Sequence, residues 1–267
     1  MKFLAAAVQM VASDDKAANL KETERWVREA AGQGARVVAL PEVFIWRGEK
    51  RREREFAEAI PGPSSTALAR LTRELGIYLL GGSILEAIPG SEKAYNTSLL
   101  FDPSGTIIAS YRKIHLFDVD LANGTSLRES ATREPGDGVV AAGTDLCSMG
   151  LSVCYDLRFP ELYRGLADQG AEIVFVPSAF TAYTGAAHWE ALLRARAIEN
   201  QVYVIAPDQF GKSAKSFETH GHSMIVDPWG RVLAELPDGP GVITADIDLQ
   251  YLAKVRAELP SLKHRRL

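Results

Sequence analysis

A mixed α/β fold is predicted for this 267-residue chain. Three observations predict it. Short apolar runs alternate with longer stretches of helical periodicity. Asp/Pro/Gly turn signatures join some neighbouring runs directly, which places strand hairpins among the βα units. No linker, repeat or shift in composition divides the sequence, so residues 1–267 read as one domain.

The elements follow in order. Leu4 to Gln9 is an apolar strand. Roughly Lys16 to Gln33 is an amphipathic helix with Leu20, Trp26, Val27 and Ala30 on its core face. Arg36 to Leu40 is a strand that delivers Glu42 just past its end. Ser64 to Leu75 is a helix, with Ser64 or Ser65 as its cap and Gly76 as its stop. Ile77 to Gly82 is a strand. Tyr95 to Phe101 and Ile107 to Tyr111 flank Asp102-Pro103-Ser104-Gly105 and form a hairpin. Asp118 to Asp137 has no periodicity and reads as a long loop, a length that is often functional.

The second half repeats the pattern. A strand ends at Val153, a helix runs from Pro160 to Gln169, and a strand covers Glu172 to Pro177. A helix from roughly Ala186 to Asn200 leads into a strand from Gln201 to Ala206. Gly211 to Gly221 is a polar loop. Ser223 to Val226 and Arg231 to Glu235 pair about Asp227-Pro228-Trp229-Gly230. Gly241 to Ile247 is a strand, and Leu249 to Glu258 a closing helix.

Composition bounds the function. The chain is 46% hydrophobic and 24% charged with net charge −4, which leaves no electrostatic footprint for nucleic acid or an anionic membrane. The basic patch Lys50-Arg51-Arg52, interleaved with Glu53 and Glu55, reads as a solvated helix face. No apolar run is long enough to span a bilayer, and no opening segment reads as a secretory signal. Two cysteines exclude a disulfide scaffold. Cys147 reads as a small buried residue, and a free thiol fits the reducing cytoplasm.

Cys154 carries the most information. It follows the apolar run Met149 to Val153 and precedes Tyr155-Asp156-Leu157-Arg158-Phe159-Pro160, a tight turn opening a helix. Pro160 suits a first helical position, where its missing N–H is not needed. A thiol at such a corner stands above the sheet edge, and the free N–H groups of the turn can face a developing oxyanion. A thiol is mostly protonated at neutral pH and needs a base. The five histidines announce no Cys–His pair. His220-x-His222 lacks partners at metal-ligand spacing, so no metal or cofactor is expected.

Three segments stand out together: Leu40-Pro41-Glu42, Tyr111-Arg112-Lys113-Ile114-His115 and Val153-Cys154-Tyr155-Asp156. With them the chain resembles the nitrilase, or carbon–nitrogen hydrolase, superfamily over nearly its whole length. Tyr111 to Asp120, Leu127 to Ser130, Cys154 to Tyr163, Leu193 to Gln201 and Gly221 to Gly230 are similar to the branch of deaminated glutathione amidase and omega-amidase. The resemblance implies a four-layer α-β-β-α sandwich with mixed sheets. It implies Cys154 as nucleophile, Glu42 as base, and Lys113 with the Tyr155 backbone N–H as oxyanion donors. Glu129 matches a further carboxylate that holds Lys113 or orients substrate and water. The reaction implied is hydrolysis of a non-peptide amide through a thioester.

The same resemblance places Ala179, Tyr183, Thr184 and His188 near the substrate, with Ala182, Ala186 and Ala187 in the pocket-lining segment. Trp189 fits either substrate contact or core. Carbamoylases carry two adjacent arginines after the cysteine, and here only Arg158 stands there. Arg158 is therefore a carboxylate binder or a structural ion-pair partner. The substrate expected is deaminated glutathione, cleaved to 2-oxoglutarate and Cys-Gly, with 2-oxoglutaramate as the alternative. Arg112, Arg128, Arg158, Arg164, Lys212 and Lys215 are the cations offered for a substrate carboxylate. A homodimer is expected, with Leu162-Tyr163 and the Trp189 helix as apolar contacts. Cys–His hydrolysis and a catalytically silent binding or amine-channelling domain are the competing readings.

Overall fold

The computed structural model describes residues 1–213 and 217–266. Small residues open it. Ala5, Ala6, Ala7 and Val8 of β1 (Lys2–Gln9) are all buried, because this strand is covered on both faces. α1 (Lys16–Gly32) is capped by Asp15, whose side chain accepts from the Ala18 N–H at 3.0 Å. β2 (Val37–Ala39), the short α2 (Glu53–Phe56), α3 (Pro63–Leu75) and β3 (Tyr78–Leu80) follow. Pro63 takes the first helical position of α3, so Ser64 and Ser65 lie inside the first turn and Gly62 is the cap. Gly76 ends that helix at φ +64°, a conformation that glycine adopts without strain.

β4 (Ile84–Ala87), β5 (Ala94–Phe101) and β6 (Ile107–Arg112) complete the first half of the sequence pattern, with β5 and β6 antiparallel as their turn signature requires. Residues 118–137 are not a structureless loop. They contain β7 (Asp118–Asp120), β8 (Ser126–Arg128), a 3₁₀ turn at Glu129–Ala131 and β9 (Arg133–Glu134). Strands of two or three residues are too short to print a period in the sequence.

β10 (Ala141–Gly143), β11 (Ser148–Leu151), α4 (Pro160–Asp168) and β12 (Ile173–Phe175) come next. α5 (Ala182–Asn200) begins one turn before the periodicity suggests, because the Thr181 carbonyl already accepts from the Gly185 N–H at 2.8 Å. β13 (Tyr203–Ala206) is followed by β14 (Phe210–Lys212) and β15 (Glu218–His220), which pair where a polar loop is predicted. β16 (Ser223–Val226), β17 (Val232–Leu236), β18 (Gly241–Asp248) and α6 (Leu249–Glu258) close the order.

Among the described residues, one sheet runs β18-β1-β2-β3-β5-β4, with β6 and β9 also on β5, and the other runs β10-β11-β12-β13-β16-β17. Both mix parallel and antiparallel pairs. The pleat sorts side chains into layers. Ala5, Ala7, Val37, Ala39 and Leu80 share one core with Met149, Leu151, Ile173 and Phe175 of the second sheet. Their neighbours Ala6, Val8, Val38 and Leu79 face away from it, onto Val27 and Ala30 of α1 and Leu68 and Leu71 of α3. α4 and α5 cover the far side of the second sheet. This is an α-β-β-α sandwich, and each fully buried Leu in it contributes about 1.5–3 kcal/mol. Leu162, Tyr163 and Trp189, offered above as dimer contacts, are buried inside the chain. Trp189 donates to the His222 carbonyl at 2.8 Å, which fixes it as a core residue.

Candidate active site

Glu42 leaves the end of β2 through Leu40 and Pro41. Gly82 permits that path: a Cβ there would lie 2.0 Å from the Pro41 carbonyl oxygen, and its φ is +50°. Val43 sits at φ +47°, which is strained for a β-branched residue. Its N–H donates to Ser83 Oγ at 3.0 Å, so a buried contact holds the strain in place.

The Glu42 carboxylate is buried and fixed on both oxygens. Asn96 Nδ2 donates to Oε1 at 2.7 Å, Lys113 Nζ to the same oxygen at 3.0 Å, and the Ala179 N–H to Oε2 at 2.9 Å. Gln209 Nε2 donates to the Glu42 carbonyl at 3.0 Å. Ala179 thus acts through its backbone, besides lining the pocket.

Lys113 follows β6 and is 2% exposed. Its ammonium donates to Glu129 Oε1 and Oε2 at 3.1 and 2.9 Å as well as to Glu42. Burial alone would lower its pKa, but Glu129 and Glu42 outweigh burial and hold it above the usual lysine range. Glu129 shows the converse. Burial would raise it, but Lys113 and Arg133 hold it well below the usual carboxylate range. Glu129 Oε2 also accepts from the Phe117 N–H at 2.6 Å. Arg133 then bridges Glu129 to Glu53, which it grips at 3.1 and 2.7 Å. The run is Glu53–Arg133–Glu129–Lys113–Glu42, with every charge buried and paired.

Cys154 starts a 3₁₀ turn at Cys154–Arg158, after β11 and before Pro160 at the first position of α4. Its φ is +49°, a left-handed conformation that costs about 1–3 kcal/mol outside glycine. The turn is held by Asp156, fully buried, which accepts from the Val153 N–H at 2.8 Å, Tyr111 Oη at 2.7 Å and the His115 N–H at 3.1 Å. Burial and the nearby Glu42 push the thiol pKa well up, and Lys113 opposes them in part. Cys154 Sγ closes no hydrogen bond to Glu42 among the described residues, yet both line one pocket with Lys113, Glu129 and Ala179. Such contacts often tighten only when substrate is bound.

The other expected residues separate. A second, smaller pocket adjoins Cys154 and is lined by Tyr155, Arg158, Phe180 and Thr184. Arg158 lies over the Tyr155 and Phe180 rings and approaches His188 Nδ1 at 3.3 Å. His188 and Tyr183 are exposed and line neither of these two pockets. Ala186 and Ala187 border a different groove, beside His220 and His222. Of the cations offered for a substrate carboxylate, Arg112 pairs with Glu86 at 2.6 Å, Arg128 with Asp120 and Arg164 with the Glu199 carbonyl. Lys212 borders an outer groove, and Lys215 lies outside the described residues. The cations that do line the pocket beyond Lys113 are Arg47, Lys50 and Arg133.

Sequence reasoning therefore missed Asn96, Glu53, Arg133, Arg47 and Gln209. Glu53 is the sharpest case, because the patch read as a solvated face buries this carboxylate to 4% exposure. Its partner Arg133 lies 80 positions away, and no local pattern announces such a pair.

The geometry agrees with what the chain is similar to. The carbon-nitrogen hydrolase family model matches residues 4–257. Deaminated glutathione amidase of Synechocystis is 45% identical over 266 residues, covering 98% of each chain. Omega-amidase NIT2-B of Xenopus laevis is 44% identical, covering 99% of this chain and 95% of its own. The crystal structure of Saccharomyces cerevisiae Nit3, a nitrilase-superfamily member, superposes with a TM-score of 0.91 at 35% identity, covering 100% of this chain and 97% of that one. The chain belongs to the carbon–nitrogen hydrolase family and is an enzyme that acts on carbon–nitrogen bonds.

Proposed function

We propose that this protein is a cysteine amidase that hydrolyses the distal amide of a 2-oxo dicarboxylic acid, with deaminated glutathione as its substrate. The carrying observation is the placement of Cys154, Glu42 and Lys113 on one buried pocket. The thiol is held in its protonated form by burial, so it becomes a nucleophile only as its proton leaves. Glu42 takes that proton while sulfur adds to the amide carbonyl. Lys113 and the Tyr155 N–H, which no described hydrogen bond uses, receive the oxyanion. Glu42 returns the proton to the amine, the C–N bond breaks, and a thioester remains. Water then adds as Glu42 takes its proton. The C–S bond breaks, the acid leaves and the thiol is restored.

Two relatives at 45% and 44% identity carry different names, deaminated glutathione amidase and omega-amidase. The segments Leu127 to Ser130 and Leu193 to Gln201, which are similar to the deaminated glutathione amidase branch, favour the larger leaving group. Comparing kcat/KM for deaminated glutathione and 2-oxoglutaramate on purified protein tests the reading. A preference for the small amide makes this an omega-amidase. Inactivity on both removes the 2-oxo-acid assignment.

The free thiols suit a reducing cytoplasm. The working unit is proposed to be a homodimer. Ile198 and Trp229 are 47% and 49% exposed, and a Cβ on Gly230 would lie 2.5 Å from Ile198, so the two large apolar side chains flank one surface patch.

A further inference from the structure

The charges of the Cys154 pocket do not cancel. Four cations line it, Arg47, Lys50, Lys113 and Arg133, against three carboxylates, Glu42, Glu53 and Glu129. The carboxylates are all claimed by Lys113 and Arg133. Arg47 and Lys50 form no ion pair within 4 Å among the described residues, and residues 214–216, Ala-Lys-Ser, offer no carboxylate. Among its described lining side chains the pocket therefore has one more cation than carboxylate, and Asp208 stands behind it with its pKa pushed well up by burial.

Arg47 is built into place rather than left to solvent. It is 5% exposed. Its N–H donates to the Ser13 carbonyl at 2.8 Å, and its carbonyl accepts from Ser213 Oγ at 2.9 Å. Its guanidinium donates to the Phe217 carbonyl at 2.6 Å and to Thr219 Oγ1 at 3.3 Å, and lies 5.2 Å from the Phe217 ring centroid. Two of its five donors are used, so three remain for a ligand. Burial lowers the Arg47 pKa to about 10 even though the carboxyl groups of buried Asp208 and Glu42 oppose it, and no carboxylate pairs with the guanidinium directly. It still stays charged at neutral pH. A ligand anion would offset the cost of that burial.

We infer that Arg47 and Lys50 form a carboxylate subsite that selects amides whose acyl chain ends in a carboxylate. The inference rests on the 2-oxo-acid reading above and adds where the acid end binds. The acyl half is common to both candidate substrates and has a fixed size, which suits the pocket that has Val43, Trp46 and Phe217 as its apolar walls. The leaving group differs between them and is left to the second pocket on the other side of Cys154, beside the half-buried Arg158. Arginine presents a planar fork to a carboxylate, and Lys50 adds a point charge at the rim.

The test is a preference ratio: kcat/KM for 2-oxoglutaramate divided by kcat/KM for 4-oxopentanamide, its neutral analogue with methyl in place of carboxylate. The ratio does not depend on the fraction of active enzyme. Arg47→Met is expected to lower it about 100-fold and Lys50→Met about tenfold, with Arg47→Lys intermediate. Lys50→Met keeps the test open should Arg47→Met fail to accumulate, since Lys50 is half-buried and outside the paired network. A wild-type preference for the anion that survives both methionine variants overturns the subsite. The same holds if only Arg158→Met abolishes the preference. Wild-type enzyme that prefers 4-oxopentanamide, or cleaves neither, overturns the 2-oxo-acid reading itself.

Discussion

Tyr111 donates a 2.7 Å hydrogen bond to Oδ2 of Asp156. The phenol belongs to the strand that delivers Lys113, and the carboxylate to the turn that delivers Cys154. His115 adds a second tie, with its ring nitrogen 2.7 Å from Asp156 Oδ1 and its ring stacked on Phe159 at 3.6 Å. Two segments from different sheets are thereby fixed to each other at the pocket. Tyr111→Phe is expected to leave the fold intact and lower kcat while KM changes little, since it loosens the alignment of nucleophile and cation. Unchanged steady-state kinetics would assign that bond to stability alone.

Cys154 is expected to carry the covalent intermediate. Intact-mass analysis after substrate quench or acrylamide treatment should find one adduct, on Cys154. Burial holds both thiols protonated, but Cys147 lies outside the pocket that brings Glu42 and Lys113 to Cys154, so it is expected to stay unlabelled. Equal labelling of both, with turnover surviving Cys154→Ala, would remove Cys154 from the mechanism.

Glu42→Gln and Lys113→Met are expected to fold and to lose several orders of magnitude in kcat/KM. Glutamine keeps the shape and one acceptor oxygen for Asn96 and Lys113, turns an amide N–H2 towards the Ala179 N–H, and takes no proton. Circular dichroism establishes folding and single-turnover kinetics the loss. Near-normal turnover in either variant would exclude that residue as a reacting group.

Arg133→Met is expected to cost about 3–5 kcal/mol of stability, because it leaves Glu53 and Glu129 buried without their partner. The urea midpoint reads this directly. A change below about 1 kcal/mol would mean that water or a side-chain rearrangement takes over the pairing.

His220 supplies a pH dependence. Burial, with His222 beside it, lowers its pKa from 6.5 to about 4. Between those values the folded chain binds fewer protons than the unfolded chain, so stability rises with pH through the window and is lost as pH falls from 6.5 towards 4. Urea unfolding at pH 7.5 and pH 5 should show the loss, and His220→Gln should flatten it. An identical slope in the variant would assign the dependence to other groups.

The Cys154 corner was legible in the sequence because its signal is local. An apolar strand, a tight turn and a proline at the first helical position lie within a dozen residues, and the structure has them in that order. Glu42 and Lys113 were legible only through the motifs that resemble the carbon–nitrogen hydrolases, since each by itself reads as a surface charge just past a strand end. The hairpins about Asp102 to Gly105 and Asp227 to Gly230 were set by turn chemistry alone.

The sequence by itself determined the alternation of strands and helices, the buried faces of the helices and the three chemical groups at the pocket. Tertiary structure decided their environment. Glu53 reads as a surface charge until Arg133 reaches it from a strand on β5, and Arg47 is indistinguishable by type from exposed Arg51 until Phe217 and Thr219 close over it. Leu162 and Trp189 look as suited to an interface as to a core until α4 and α5 lie down on the second sheet. Local pattern follows from neighbours in the chain, which fix backbone conformation and the face a side chain occupies. Burial and charge pairing follow from partners distant in the chain, such as Glu53 and Arg133, 80 positions apart, and their energies exist only once the sheets have met.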